Sequence, residues 1–238
     1  MQKTAIIIPC YNEEKRLKKE DIAALVNSAK ADIYFCNDGS NDNTLTLLQS
    51  FERNFAGRCF VYHYEKNTGK ANTVYVSVNK LLENKRYTHI GYFDADFSTP
   101  VNEIKRMLLA QEEKPERFIF GSRVLLLNSR IDRKTHRHYI GRIIITLINF
   151  KFRLRVYDTQ CGAKLFPAEI ASTAFSGPFK TSWLFDIEVF IRLKKSDLLQ
   201  LGWEFPLVEW RDVDGSKLGW KTAFKILREL ASLYRNYA

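Results

Sequence analysis

Two carboxylates separated by one small residue close an apolar run in Gly91-Tyr92-Phe93-Asp94-Ala95-Asp96. Oxygen donors of this kind suit Mg²⁺ or Mn²⁺, either of which can bridge to the two phosphates of a nucleoside diphosphate. Such an ion stabilises a departing diphosphate as the bond to it breaks. The same pair also reads as a solvated turn in which Asp accepts local hydrogen bonds. Placement directly after a buried strand favours the metal.

Two further clusters follow apolar runs. In Pro9-Cys10-Tyr11-Asn12-Glu13-Glu14, Pro9 ends ladder bonding, Tyr11 could stack on a base, and Asn12 or Glu13 could reach its edge or a ribose. Ordinary helix-start chemistry, with Asn and Glu satisfying open amides, is the alternative. In Asn37-Asp38-Gly39-Ser40-Asn41-Asp42-Asn43-Thr44, Asp38 could accept from a uracil or guanine edge, and Gly39 lets the backbone turn close to a ligand. A turn followed by a helix cap accounts for Asp42 to Thr44 but leaves Asp38 unexplained.

The elements that must position these residues alternate regularly. Short apolar runs at 5–8, 32–36, 60–64, 89–93 and 117–120 read as strands, and segments at 21–30, 43–54, 71–84 and 101–113 have helical length. The alternation implies an α/β fold with one Rossmann-like, mostly parallel sheet covered by helices on both faces. Ligands of such sheets bind beyond the carboxyl ends of the strands, where the three clusters lie. The second half is less regular: a basic segment at 129–142, an apolar helix-like stretch to 154, a loop at 157–167 and a helix at 186–195. The run 221–237 is amphipathic, with Phe224, Leu227, Leu230, Ala231, Tyr234 and Tyr237 on one face. One domain over residues 1–238 is expected, with a nucleotide-binding half at 1–120, an acceptor-side half at 121–220 and a terminal helix.

Bulk composition narrows the partners. With 238 residues and 45% hydrophobic content the chain can bury a substantial core, and its formal net charge of +10 favours anionic partners. The basic residues are scattered and no finger or RNP-type stretch occurs, which argues against nucleic acid. Cys10, Cys36, Cys59 and Cys161 show no paired spacing and read as free thiols in a reducing, cytoplasmic setting. No signal peptide or spanning segment is recognisable. The stretch 140–154, rimmed by Arg142, Lys151, Arg153 and Arg155, would suit either partial insertion at an anionic membrane surface or burial.

The ordered set Pro9 to Glu14, Asn37 to Thr44, Asn67-Thr68-Gly69-Lys70 and Asp94-Ala95-Asp96 resembles family 2 glycosyltransferases of the GT-A fold. Four later motifs narrow the likeness: Gly121-Ser122-Arg123, the run Asp158-Thr159-Gln160-Cys161-Gly162-Ala163-Lys164-Leu165-Phe166, Trp183-Leu184-Phe185-Asp186-Ile187-Glu188, and Gly215-Ser216-Lys217-Leu218. These are similar to the dolichyl-phosphate glucosyltransferase and polyprenyl-phosphate glycosyltransferase branch.

The resemblance implies inverting, metal-dependent transfer of a hexose, glucose before mannose, from a UDP- or GDP-sugar to a polyprenyl phosphate. By the same likeness Pro9, Tyr11, Asn12, Glu13 and Asp38 line the nucleoside pocket. Gly69, Lys70 and Ala95 lie at the donor, Asp94 and Asp96 hold Mg²⁺ or Mn²⁺, and Arg123 meets phosphate. Arg137 is a candidate for the acceptor phosphate, with a solvated basic face as the alternative. Asp158, then Asp186, are candidates to orient or deprotonate the acceptor, and Trp183 and Trp203 read as core. The family often carries Asp, Gly and Phe where this chain has Asn37, Ala71 and Ala163. Rival readings are transfer to a soluble or cell-surface glycan, a nucleotidyltransferase, and a nucleotide-binding or membrane-adaptor domain without activity. The nucleotidyltransferase lacks its Gly-rich loop here.

Overall fold

The structure, a computed structural model, describes residues 3–132, 135–213 and 220–237, with side chains for all of these except 135–140 and 220–223. The Arg137 side chain and the Gly215 to Leu218 motif therefore lie outside the described residues.

Apolar runs bounded by turn residues form the strands β1 (Thr4–Cys10), β2 (Ala31–Asp38), β3 (Cys59–Tyr64), β4 (His89–Phe93) and β5 (Phe118–Ser122). Helices α1 (Lys19–Ser28), α2 (Thr44–Asn54), α3 (Lys70–Glu83) and α4 (Val101–Glu113) alternate with them, as the pattern requires. β1 lies between β2 and β4, parallel to both, with Ile6 opposite Ile33 on one side and Gly91 on the other. Side chains of a strand alternate between faces, so the sheet divides two cores. Ile6, Ile8, Phe35 and Ile119 pack with residues of α1, α2 and α4 on one face. Ala5, Ile7, Tyr92 and Phe120 pack on the other with α3 and the later helices.

The second half supplies the rest of the layer. β6 (Arg130–Asp132), α5 (Thr135–Phe152), β7 (Ala163–Pro167), α6 (Ala168–Ala174) and α7 (Phe185–Lys195) follow in order. A 3₁₀ turn at Leu199–Leu201 then leads to β8 (Gly202–Pro206), β9 (Glu209–Arg211) and α8 (Trp220–Tyr237). The main sheet has the order β3-β2-β1-β4-β7-β5-β8, and β6 pairs with β9 in a separate ribbon.

The expectation of a loop over 157–167 is corrected. Its second half is β7, which runs antiparallel between β4 and β5, with Phe93 opposite Ala163 and Tyr92 opposite Lys164. Lys164 is what disguised the strand, because a cation within a short apolar run reads as surface. It is fully buried, and its Nζ donates to Asp186 Oδ1 at 2.7 Å and to the Cys161 carbonyl at 2.6 Å. β6, β8, β9 and α6 were also not legible in the pattern.

The face of α8 is rotated from the expected one. Its buried residues are Ile226, Leu230 and Leu233, while Phe224 and Leu227 stand exposed. α5 likewise buries Ile145, Ile148 and Phe152 against the same core. A buried charge pair is costly to break because the surviving partner is left without compensation. Replacing Lys164 with Ala should therefore lower unfolding stability by about 3–5 kcal/mol in urea titration, and a loss below about 1 kcal/mol would contradict the burial described.

Candidate functional site

Two cavities open at the carboxyl ends of the strands and share Lys70, Asp94 and Asp96. The first, about 390 Å³, is built from strand ends. β1 contributes Pro9 and the turn after it Tyr11 and Glu13, β2 contributes Asp38, α3 begins with Lys70 after Gly69, and β4 leads into Asp94, Ala95 and Asp96. Tyr11 is 40% exposed, so its ring is open to a stacking partner. The second, about 420 Å³, adds Arg123, Asp186, Trp183 and Trp210, with an apolar wall from Ile144 and Ile145 of α5 and Ile226 of α8.

Asp94 sits where the two cavities meet, and β7 makes room for it. The Asp94 amide donates to the Gly162 carbonyl at 3.0 Å. A Cβ on residue 162 would lie 2.0 Å from Asp94 Oδ2 and 2.3 Å from its carboxyl carbon. Glycine is thus required for the carboxylate to occupy its position. Lys70 Nζ donates to Asp94 Oδ1 across the gap. Burial works against the Lys70 charge, but the carboxylates of Asp94, Asp186 and Asp96 outweigh it and raise its pKa above the ordinary value.

Asp96 Oδ1 accepts from the Ser98 amide at 2.9 Å, which closes the turn. Among the described residues no other His, Cys, Asp or Glu joins these two carboxylates in a group of three able to hold an ion. The donor set is all oxygen and faces two cavities. It fits a small hard dication that completes its coordination with water and substrate phosphate, and it does not fit a permanently caged structural ion.

Arg123 and Asp158 meet each other. Arg123 Nε donates to Asp158 Oδ2 at 2.7 Å and its Nη2 to Oδ1 at 2.8 Å, a bidentate pair, with the Arg123 amide also on Oδ2 at 3.1 Å. The Asp158 amide is in turn accepted by Glu204 Oε1 at 2.8 Å, and Glu204 also holds Ser122 Oγ and the Tyr157 amide. Asp158 lines neither cavity, and its geometry is that of a group that orients Arg123 toward the second cavity. The residue expected first to act on the acceptor is thus engaged with Arg123 through its carboxylate and with Glu204 through its amide. Asp186 does line the second cavity, but its Oδ1 accepts from Lys164 and from the Tyr92 hydroxyl.

Two of the nucleoside candidates are also tied down. Asn12 adopts a left-handed backbone, φ 54°, and its Oδ1 accepts from the Asn41 amide at 2.9 Å, outside the first cavity. Asp38 borders that cavity, yet its oxygens already accept from the Thr68 and Gly69 amides at 2.9 and 2.8 Å, fixing the turn that starts α3. Gly39 permits this approach: a Cβ there would lie 2.6 Å from the Asn67 nitrogen, at a φ of 63°. Asn37, near the end of β2, bonds the facing His63 of β3 and Ser40 of the loop that follows.

Sequence reasoning did not single out Arg16, Thr73 or Trp210, and it read Trp183 as core. Trp183 is instead 40% exposed at the second cavity, while Trp203 packs against the core as expected. Arg16 was detectable, since it stands three residues after Glu13, the spacing of a helical-turn ion pair. Its Nη2 reaches Glu13 Oε1 at 2.5 Å. Burial raises the Glu13 pKa to about 7, with Arg16 opposing the rise and Asp96 and Asp94 adding to it. Its second oxygen, Oε2, has no protein partner among the described residues.

The family described as Glycosyl transferase family 2 matches residues 5–175. The chain is 29% identical to a dolichyl-phosphate beta-glucosyltransferase of Trichomonas vaginalis, over 97% of this chain and 73% of that protein. It is 27% identical to the dolichyl-phosphate beta-glucosyltransferase of Drosophila melanogaster, over 90% and 68% of the two chains. Its fold is that of glucosyl-3-phosphoglycerate synthase from Mycobacterium tuberculosis in complex with Mn²⁺ and UDP-glucose, at TM-score 0.70 and 15% identity, over 99% of this chain and 79% of that one.

The Glu13 shift has a sign that can be measured. A carboxyl that holds its proton to about pH 7 when folded, against an ordinary value near 4.5, stabilises the fold fully below pH 4.5 and loses that contribution as pH rises to 7. Urea titrations should show wild type losing up to about 3 kcal/mol relative to Glu13→Gln between pH 5 and pH 8. A difference independent of pH would show that Glu13 does not hold its proton.

Proposed function

We propose that this chain, which belongs to glycosyl transferase family 2, moves a hexose, glucose first, from a UDP- or GDP-sugar onto the phosphate of a polyprenol. The observation that carries this reading is the junction of a nucleoside-sized cavity with an apolar-walled one at Lys70, Asp94 and Asp96. The first suits a nucleoside diphosphate sugar; the second suits a phosphate on a hydrocarbon chain. The names of the two similar glucosyltransferases favour glucose and a dolichyl-type acceptor.

In this reading Tyr11 stacks on the base, Glu13 takes a ribose hydroxyl, and Asp38 holds the turn that presents Gly69 and Lys70. Asp94 and Asp96 hold Mg²⁺ or Mn²⁺, which when bound supplies positive charge to the departing diphosphate. Lys70, kept cationic by the carboxylates around it, adds a second positive group beside the same phosphates. Arg123, locked by Asp158, offers its remaining donors to the acceptor phosphate, and Arg137 on α5 is a second candidate for that role.

An acceptor phosphate oxygen forms a bond to the anomeric carbon as the bond from that carbon to the diphosphate breaks, and the electron pair leaves with the nucleotide. In-line attack inverts the centre. A phosphate monoester with a second pKa of about 6 is already largely ionised at neutral pH, so no strong base is needed. Asp186, pinned by Lys164 and Tyr92, then acts as a fixed negative group beside the developing cationic sugar. The terminal helix and α5 would meet the cytoplasmic surface of a membrane, where such an acceptor resides.

The test is transfer of radiolabel from UDP-glucose, UDP-galactose, UDP-N-acetylglucosamine and GDP-mannose to polyprenyl phosphate in detergent, with Mg²⁺, Mn²⁺ or EDTA. Lipid-extractable label should come from UDP-glucose, vanish with EDTA, and fall by about 10²–10³-fold in Asp96→Ala. Label that stays water-soluble would move the acceptor to a soluble molecule, and transfer insensitive to EDTA and to Asp96→Ala would overturn the donor site.

A further inference from the structure

The core-facing surfaces of α5 and α8 leave an unusual outer surface. On α5, Ile143, Leu147 and Phe150 recur at i, i+4 and i+7 and are 61%, 45% and 87% exposed. On α8, Phe224 and Leu227 are 74% and 63% exposed on the side opposite Ile226, Leu230 and Leu233. The helices are neighbours. The Tyr234 hydroxyl donates to the Leu147 carbonyl at 3.0 Å, and the Tyr234 ring meets Phe152 edge-on at 5.6 Å. Both bury their inner faces in one core, and Tyr234 bonds the backbone of a residue in the outward row of α5. Tyr234 thus brings α8 against α5 at Leu147, and each helix carries an exposed apolar row that water does not favour.

Charge selects what covers it. α5 contains no acidic residue, and α8 contains only Glu229. That carboxylate is turned inward, where it accepts from the Ser182 hydroxyl and from the amides of Ser182, Trp183 and Leu184. Arg228 and Arg235 follow Phe224 at helical spacing on the exposed side, and Lys151, Arg153 and Arg155 are exposed at the end of α5. Apolar rings and aliphatics whose outward-facing charged neighbours on the two helices are cations match the headgroup boundary of an anionic bilayer.

We propose that the outer faces of α5 and α8 form a docking surface for an anionic lipid bilayer. It delivers the acceptor to the second cavity, whose wall is made by Ile144, Ile145 and Ile226 from the inner sides of the same helices. Glu229 ties this surface to the acceptor side, because the Trp183 and Leu184 amides that it holds belong to residues lining that cavity. The delivery step rests on the polyprenyl-phosphate reading; the docking itself does not.

The test is co-flotation of the full chain with vesicles of phosphatidylcholine alone or with about one-third phosphatidylglycerol, with no donor present. Binding should require the anionic lipid, weaken as salt is raised, and fall at least about tenfold in Phe150→Ser/Leu227→Ser. Both residues are exposed, so the variant should keep the wild-type melting temperature, and Arg228→Gln/Arg235→Gln provides a second variant expected to weaken binding. In detergent the Phe150→Ser/Leu227→Ser protein should transfer sugar as wild type does, while transfer to acceptor embedded in anionic vesicles drops. Equal flotation of wild type and both variants would overturn the proposal. So would a wild-type dimer that the serine variant converts to monomer without any vesicle binding, since a second copy would then cover the patch. Failure to bind vesicles with detergent transfer intact rejects the surface alone. Vesicle binding without lipid labelling supports the surface and rejects the acceptor.

Discussion

The packing of the Asp94 carboxylate over a residue with no side chain is the constraint on which the site depends. β7 enters the sheet antiparallel beside β4, and its register brings the Gly162 carbonyl to the Asp94 amide. The carboxylate then fills the space a Cβ would take. From there the geometry spreads in both directions. Lys70 reaches Asp94 because Asp38 fixes the turn that begins α3, and Asp38 can do so because Gly39 lets the two loops approach. On the other side the segment before Gly162 carries Asp158, which locks Arg123 and is itself held by Glu204 from β8. One antiparallel strand thus couples the first cavity to the second.

Electrostatics explains why these groups can be crowded together. Burial, with a smaller push from Asp96 and Asp94, raises the Glu13 pKa, while at Lys70 the carboxylates of Asp94, Asp186 and Asp96 outweigh burial and keep the amine a cation. Asp158 outweighs the burial of Arg123 and raises its pKa further, keeping it a cation. The arrangement is a fixed array of donors and charges around the place where a diphosphate would leave. Such preorganisation is the usual source of catalytic power in group transfer.

The parallel half of the fold was legible because its strands are apolar runs that end in turn residues, and the alternation with helices left little choice of topology. Tyr11, Glu13, Asp94 and Asp96 could be singled out because they follow strands and Pro9 because it sits at a strand end, whereas Lys70 came only from the family resemblance. β7 could not be read, since Lys164 breaks its pattern and is neutralised by Asp186, a partner 22 residues away that no local window contains. Asp158 and Arg123 were found as residues but not as a pair, because pairing across 35 residues is a property of the folded sheet. On α8 the periodicity was visible, but apolar residues occupy more than one face, and only packing shows which row is buried.

The central claim is that the Asp94 and Asp96 turn, seated on Gly162, is the donor site for metal and nucleotide. Calorimetric titration of UDP into the chain, with and without Mn²⁺, tests it most directly when wild type is compared with Gly162→Ala. The account predicts Mn²⁺-dependent binding in wild type, weakened about tenfold or more in the variant, a loss of about 1.4 kcal/mol, with its circular dichroism unchanged. UDP affinity that is the same in both proteins, or indifferent to Mn²⁺ in wild type, would contradict it.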